Sequence, residues 1–494
     1  MKILLVNPDA PVTFWSFKNA LKFVSKKSLL PPLGLLTVAA MLPKDWEKRM
    51  VDMAVTKLRD RDIQWADYVF LTAMVIQKES VRRVIDRCRK IGTRVVAGGP
   101  LFTAVPEDYQ DVDHLVLNEA EITLPQFIKD LKNGCPKPVY KSEQWANLSD
   151  TPIPLWGLIG SKNYALPCIQ YSRGCPYNCD FCDVTTLFGH RIRTKTKAQM
   201  LEELQSLYSF GWRGQVFVVD DNFIGNKEKL KKEVLPAIIS WMEEREYPFS
   251  FNTQASIDLA DDEELMRLMV EAGFDCVFIG IETANQDSLI ECNKVQNKGR
   301  DLIACVRKIQ ESGMQVQGGF IVGFDSDPSS IFESLIRFIQ QSGIVTAMVG
   351  LLNAPRGTKL YRRLKNENRL LDYVSGNNTD FSMNFIPKMN LEDLLKGYQK
   401  VVRTIYSQKY YYERVLTFLK NYKPLGKTNI KIHLCDLAAF IKSIWRIGII
   451  DKGRIYYWKL IFWAIRRPRH FHLAVALAIS GFHFRKMFES YRNI

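Results

Sequence analysis

Short runs of aliphatic and β-branched residues recur along the first 140 positions, at KILLVNP, RMVDMAV, DYVFLTAMV, TRVVAGGP and DHLVLNEAE. Between them lie stretches with helical spacing, such as residues 32–42 and 79–91. Runs that are apolar throughout, rather than alternating, mark strands buried on both faces, so residues 1–140 are expected to form a parallel, doubly wound sheet. The same grammar returns over 164–365, at CIQYSRGC, QVFVVDDNF, FSFNTQASI, CVFIGIET, VQGGFIVGFD and AMVGLLNAPRG. Six strand-then-helix units predict a partial (β/α)6 TIM-like barrel with its chemistry at the carboxyl ends of the strands. The polar stretch YKSEQWANLSDTPIPLW reads as a linker, 141–163, with one anchored tryptophan. Residues 366–494 are expected to form a mainly α-helical domain, which completes an α/β chain of three parts.

A length of 494 residues exceeds what one hydrophobic core serves, in keeping with several domains. Apolar content of 47% and charged content of 24% exclude wholesale disorder. The start, MKILLVNPDAP, reads as a first strand rather than a secretory segment, so a cytoplasmic, reducing compartment is expected. Ten cysteines with one cluster then point to metal ligands rather than disulfides. The net charge of +15 suits an anionic membrane surface or a nucleic acid without choosing between them.

Ligands of doubly wound sheets bind beyond the carboxyl ends of the strands. The residues there are Asn7 and Pro8; Thr72, Ala73 and Met74; Gly98, Gly99 and Pro100; and Asn118, Glu119 and Glu121. The Gly98-Gly99-Pro100 turn lets a bulky ligand approach the backbone, although plain strand-to-helix turns have similar composition.

Directly after the first barrel strand comes YSRGCPYNCDFCDV, which sets Cys175, Cys179 and Cys182 in a C-x3-C-x2-C array. Structural zinc calls for four ligands, and Cys168 and Cys276 fall inside predicted strands, leaving three cysteines within reach of one another. Three free thiols would suit an apolar loop better than one carrying Arg173, Asn178, Asp180 and Asp183. A four-iron cubane held by three thiolates leaves one iron open to a further ligand.

The array Cys175-x3-Cys179-x-Phe181-Cys182 resembles the signature of radical S-adenosylmethionine (SAM) enzymes. The resemblance implies a [4Fe-4S] cluster on Cys175, Cys179 and Cys182. It further implies SAM chelated at the open iron and cleaved to a radical that abstracts hydrogen from unactivated C-H bonds. Phe181 would close the adenine side. Asp220, Asp221 and Asn222 stand where the family usually has Gly-Gly-Glu to receive the methionine ammonium, and an anionic side chain there keeps that pairing. Ser256 would meet the ribose. Glu282 would line the cofactor, or else serve as a rim carboxylate paired with a lysine or arginine.

A flavodoxin-like domain ahead of such a barrel, with PPLGLLTVAAMLP and VVAGGP, is similar to the cobalamin-binding subclass. Asn7, Pro8, Thr72, Ala73, Met74, Gly98, Gly99, Pro100 and Glu119 would then border cobalamin. The D-x-H-x-x-G motif that supplies a histidine to cobalt is absent, and His114 lies inside a predicted strand, so no lower histidine ligand is expected.

From Lys431 onward the chain is rich in Arg, Lys, Trp, Tyr and Phe, with the turn Arg466, Arg467, Pro468, Arg469. Such a segment can lie in a membrane interface, pack on the barrel, or serve RNA, but no nucleic-acid motif is present. No run of about 18 apolar residues predicts a spanning helix. His470, His472 and His483, without acidic partners nearby in sequence, read as core or interface residues.

The three-part order is most similar to the group that includes hopanoid C-2 methylases, and more distantly to archaeal tetraether lipid ring synthases. The resemblance implies C-methylation of an unactivated sp3 carbon in an apolar, lipid-like substrate, with an electron donor such as ferredoxin or flavodoxin and no protein base. Radical cyclisation, coupling or rearrangement without methyl transfer is the enzymatic alternative, and a non-catalytic cobalamin or iron-sulfur sensor the other.

Overall fold

The computed structural model describes residues 1–371, 375–423 and 434–490; Lys431, where the basic aromatic segment begins, lies outside them. The strands in chain order are β1 (Lys2–Asn7), β2 (Glu47–Asp52), β3 (Tyr68–Thr72), β4 (Arg94–Gly98), β5 (His114–Val116), β6 (Val139–Tyr140), β7 (Cys168–Ile169), β8 (Ser172–Arg173), β9 (Arg193–Thr194), β10 (Gly214–Val218), β11 (Phe249–Gln254), β12 (Phe274–Glu282), β13 (Gln315–Val322) and β14 (Ala347–Leu351).

The first six form a wholly parallel sheet in the order β2-β1-β3-β4-β5-β6. Alternate residues of β1 enter different cores: Leu4 and Val6 join Val81 and Phe102, whereas Ile3 and Leu5 join Phe127 and Leu35. Two apolar faces on one strand explain the unbroken aliphatic runs. The chain leaves β1 toward β2 on one side and β3 on the other, which creates the crevice where doubly wound sheets bind ligands. The edge strand β6 was not among the expected strands, because two residues carry no periodicity.

The second sheet is also parallel and runs in sequence, β7-β10-β11-β12-β13-β14, the partial (β/α)6 barrel expected. Its fully buried outer side packs under helices that include Glu263–Ala272 and Leu302–Glu311. The opposite side is only half-buried, and there Gln254, Phe278 and Gln317 stand in register across three strands.

Helices dominate the remainder, among them Leu391–Ile405, Gln408–Asn421, Arg454–Ile465 and Pro468–Ser490. The last of these reaches back to the start of the chain. Phe14 stacks on Phe484 with centroids 4.3 Å apart, and Trp15 meets Phe278 edge-on at 5.4 Å. His483 is fully buried, with Nε2 3.1 Å from the Phe14 carbonyl and Nδ1 accepting from the Asn19 N–H at 3.4 Å. Burial holds its pKa down at about 4, so it is a neutral core residue. The packing role expected of this histidine is therefore met. His470 Nε2 lies 3.3 Å from the Tyr422 carbonyl, and His472 Nε2 lies 4.0 Å from Asp436.

Candidate functional site

The cysteine loop hangs from a short antiparallel hairpin in which Ser172 pairs with Thr194 and Arg173 with Arg193. Its root is braced from the end of β10. Asp220, fully buried, accepts from the Tyr171 N–H at 2.8 Å and from the Ser172 hydroxyl. Burial raises the pKa of Asp220 to about 7, and both its oxygens are already engaged. The loop is tied further along as well: the Asp180 N–H donates to the Cys292 carbonyl at 3.0 Å, Asn293 Nδ2 to the Asn178 carbonyl at 3.0 Å, and the Leu360 N–H to the Asp180 carbonyl at 2.8 Å.

Each of the three sulfurs has an N–H donor. Cys175 accepts from the backbone of Tyr177, Cys182 from that of Val184, and Cys179 from Gln296 Nε2 at 3.8 Å. Burial pushes all three thiols up, Cys182 to about 12, so metal binding must release protons. Lys294 counters this burial. Its Nζ lies 2.7 Å from Glu282 Oε1 with only 12% of the side chain exposed. Desolvation alone would lower the Lys294 pKa; Glu282 and the neighbouring Cys179 and Cys182 more than reverse it.

N–H donors and a buried cation beside three sulfurs fit a cluster whose thiolates carry negative charge. Among the described residues no three His, Cys, Asp or Glu side chains gather around one ion-sized point. A cubane takes one sulfur per iron, so its ligands stand apart rather than converge.

Glu282 sits at a register shift between β12 and β13 with φ +61°, a left-handed conformation uncommon outside glycine. Space for its pairing with Lys294 comes from Gly280, where a Cβ would lie 2.3 Å from Glu282 Oε1 and 2.9 Å from Lys294 Nζ. Of the two readings of Glu282, the rim carboxylate paired with lysine is thus the geometry found.

Asp221 differs from Asp220. One oxygen accepts from the Gly174 N–H, whereas Oδ2 is buried without a partner. Burial, then Asp183, raise its pKa to about 6. Asn222 and Ser256 bond one another, the Ser256 N–H reaching Asn222 Oδ1 at 3.2 Å. Phe181 meets Phe324 edge-on at 6.2 Å.

The carboxyl edges of the two sheets face each other. After β5, Glu119 Oε1 lies 2.9 Å from Arg173 and Oε2 lies 2.8 Å from Arg193, while Glu121 holds Arg173 at 2.8 Å. After β4, Glu107 pairs with Arg356. After β3, Ile76 lies so close to Gly376 that a Cβ there would come within 2.7 Å of its nitrogen. Asn7 is enclosed, donating to Asp52 Oδ1 at 3.0 Å and accepting from Gln77 at 3.3 Å, and Pro8 is buried. Thr72, Met74, Gly98, Gly99 and Pro100 remain at the crevice, with Ala73 buried behind Met74, which is 60% exposed. At Gly99, φ +95° and a Thr72 hydroxyl 2.3 Å from any Cβ admit only glycine. His114 binds the Lys137 carbonyl through Nδ1 at 2.8 Å within β5, as a structural histidine does.

Residues 23–128 match the B12 binding domain, 169–339 the Radical SAM superfamily and 358–494 a domain of unknown function, DUF4070. Over 100% of its length the chain is 41% identical to an uncharacterized methyltransferase of Synechocystis sp., covering 93% of that protein. It is 32% identical to the hopanoid C-2 methylase of Rhodopseudomonas palustris, over 94% of this chain and 89% of the relative. The chain belongs to the cobalamin-binding radical SAM methyltransferases. Its fold matches the cobalamin-dependent S-adenosylmethionine radical enzyme OxsB with aqua-cobalamin bound, at a TM-score of 0.64 and 14% identity, over 100% of this chain and 81% of that one.

This radical SAM methyltransferase therefore works with a [4Fe-4S] cluster, SAM and cobalamin. Of the three functions the sequence left open, methyl transfer is the one that these two relatives are named for. Sequence reasoning did not single out Lys294 and Gln296 beside the sulfurs, or Arg193 beside Glu119. It also placed only three cysteines within reach of one another. Cys292 lies near the loop: burial first, then Glu282 and Cys179, push its thiol up to about 12, and that thiol turns to the Leu289 carbonyl at 3.8 Å. Only the spatial return of the loop after β12 brings it there.

The Glu119 cluster is 2–13% exposed. Glu119→Ala leaves two buried guanidiniums short of a partner and is expected to lower stability by about 3–5 kcal/mol. Thermal unfolding of the cofactor-free protein checks this; an unchanged midpoint would mean the cluster holds nothing.

Proposed function

We propose that this enzyme methylates an unactivated sp3 carbon of an apolar substrate, a lipid such as the hopanoid that names its Rhodopseudomonas palustris relative. The observation that supports this reading is the half-buried side of the barrel sheet. Phe217, Phe278, Ile321 and Met348 stand on it, Trp15 meets it, and the uncharged amides Asn252, Gln254 and Gln317 fall between them. Apolar surface gains about 25 cal/mol for each Å2 removed from water, so such a wall favours a hydrocarbon framework.

In this reading Cys175, Cys179 and Cys182 hold the cluster, and Lys294 balances their charge. Asp221, with its unpartnered Oδ2, receives the SAM ammonium. Asn222 and Ser256 face the ribose, Phe181 the adenine, and Glu282 keeps Lys294 in place. Asp220 anchors the loop. Thr72, Ala73, Met74, Gly98, Gly99 and Pro100 border cobalamin; Asn7, Pro8 and Glu119 support that edge from behind. When bound, cluster and SAM supply hydrogen abstraction and cobalamin supplies the methyl group. The chain's own contribution is position and exclusion of water. A ferredoxin or flavodoxin delivers the electron, and the C-terminal helices make a peripheral membrane contact.

Replacing Cys175, Cys179 and Cys182 together by alanine should abolish iron incorporation and leave cobalt content unchanged by elemental analysis; retained iron would move the cluster elsewhere. Asp221 titrates near 6 and pairs with an ammonium only when ionised. SAM affinity should therefore fall about tenfold for each pH unit below that value. Equilibrium binding should show this fall in the native chain and not in Asp221→Asn. With methyl-deuterated SAM and a lipid extract, the loaded enzyme should place one trideuteromethyl group on an apolar lipid, read by mass spectrometry. Label found only in polar metabolites would refute the substrate class.

A further inference from the structure

The helix Leu434–Ser443 continues through the π-helical turn Ile444–Ile450 and then contacts helix Arg454–Ile465. Leu437, Ile441 and Trp445 recur every four residues and are 51%, 58% and 60% exposed. On the next helix Ile455, Phe462 and Ile465 are 64%, 57% and 55% exposed. Single exposed aliphatics are ordinary on any surface. Two stripes of them on consecutive, contacting helices are not, because water penalises each one and no described element covers them.

The charges around these stripes are one-sided. Residues 437–469 contain eight Lys and Arg and a single acid, Asp451. Asp451 is taken by Arg485 and by Gln408. Among the described residues none of the eight cations pairs with a carboxylate; Arg454 donates to the Ile449 carbonyl of the preceding turn, and Arg466 and Arg467 to the Phe462 and Trp463 carbonyls. A cationic rim without carboxylate partners around an apolar face is complementary to a surface with hydrocarbon beneath anionic groups. No described helix is long and apolar enough to cross a membrane, so the contact would lie on the bilayer.

We infer that the face carrying Ile441, Trp445, Ile455 and Phe462 docks on the anionic leaflet of a lipid bilayer. Trp445 and Phe462 enter the headgroup boundary while Arg446, Arg454, Arg466 and Arg467 meet lipid phosphates. The inference deepens the membrane contact proposed above by naming its face and lipid charge, and it does not need the methylation reading, because docking requires neither substrate nor turnover.

The test is flotation of the full-length, cofactor-loaded protein with vesicles of phosphatidylcholine plus phosphatidylglycerol, against phosphatidylcholine alone. The native chain should float with the anionic vesicles and be released by salt. Trp445→Ser with Phe462→Ser should stay at the bottom while keeping its cobalamin absorbance, since both side chains are exposed. Arg446→Gln with Arg466→Gln should bind about thirtyfold more weakly, the effect of two cations near an anionic surface. No flotation, flotation unaffected by the serine pair, or equal binding to neutral vesicles would overturn the inference. So would a dimer that the serine pair converts to monomer, which would assign the face to a second copy of the chain.

Discussion

Four buried charges hold this enzyme in a working arrangement. Glu119 and Glu121 grip Arg173 and Arg193 where the first sheet meets the root of the cysteine loop. Charges removed from water are costly unless each finds a partner. The Ala146 N–H and the Thr151 hydroxyl complete that requirement, at 2.7 Å and 2.8 Å. The linker that connects the two sheets thereby also fastens them. The carboxyl edge of the first sheet is held in this way at a fixed spacing from the root of the cysteine loop.

The sulfur loop follows a related logic with the sign reversed. Its thiols are buried and reluctant to ionise, while Lys294 lies beside them as a cation held by Glu282. The strained backbone at Glu282 and the bare Cα of Gly280 both serve that one pairing. Removing the lysine would leave the buried sulfurs without a neighbouring cation; removing the glutamate would leave a buried ammonium without its carboxylate. Each depends on the other.

The architecture was legible wherever the signal was local. Unbroken aliphatic runs announced strands buried on two faces, and the cysteine spacing lies within eight residues, so the fold class and cofactors followed from sequence. What was not legible depended on the return of the chain. Lys294 and Gln296 reach the sulfurs only because the segment after β12 folds over the loop. Asn7 and Glu119 stand at the expected edge, yet their side chains are enclosed by Asp52, Gln77, Arg173 and Arg193, partners 45 to 74 positions away. The exposed stripes on 437–465 were likewise hidden, since the same aromatic composition serves packing in Phe484 and His483.

Phe14 and Phe17 find their ring partners, Phe484 and His483, far along the chain. Contacts so distant along the chain form late, after the loop-closure entropy of everything between has been met. Trp15 reaches Phe278 of the barrel from this same clasp. The molecule is therefore fastened like a belt: closure of the half-buried side of the barrel waits for the helix Pro468–Ser490 to return to Phe14 and Phe17. A chain lacking that helix would lose the clasp while keeping every residue of the cysteine loop.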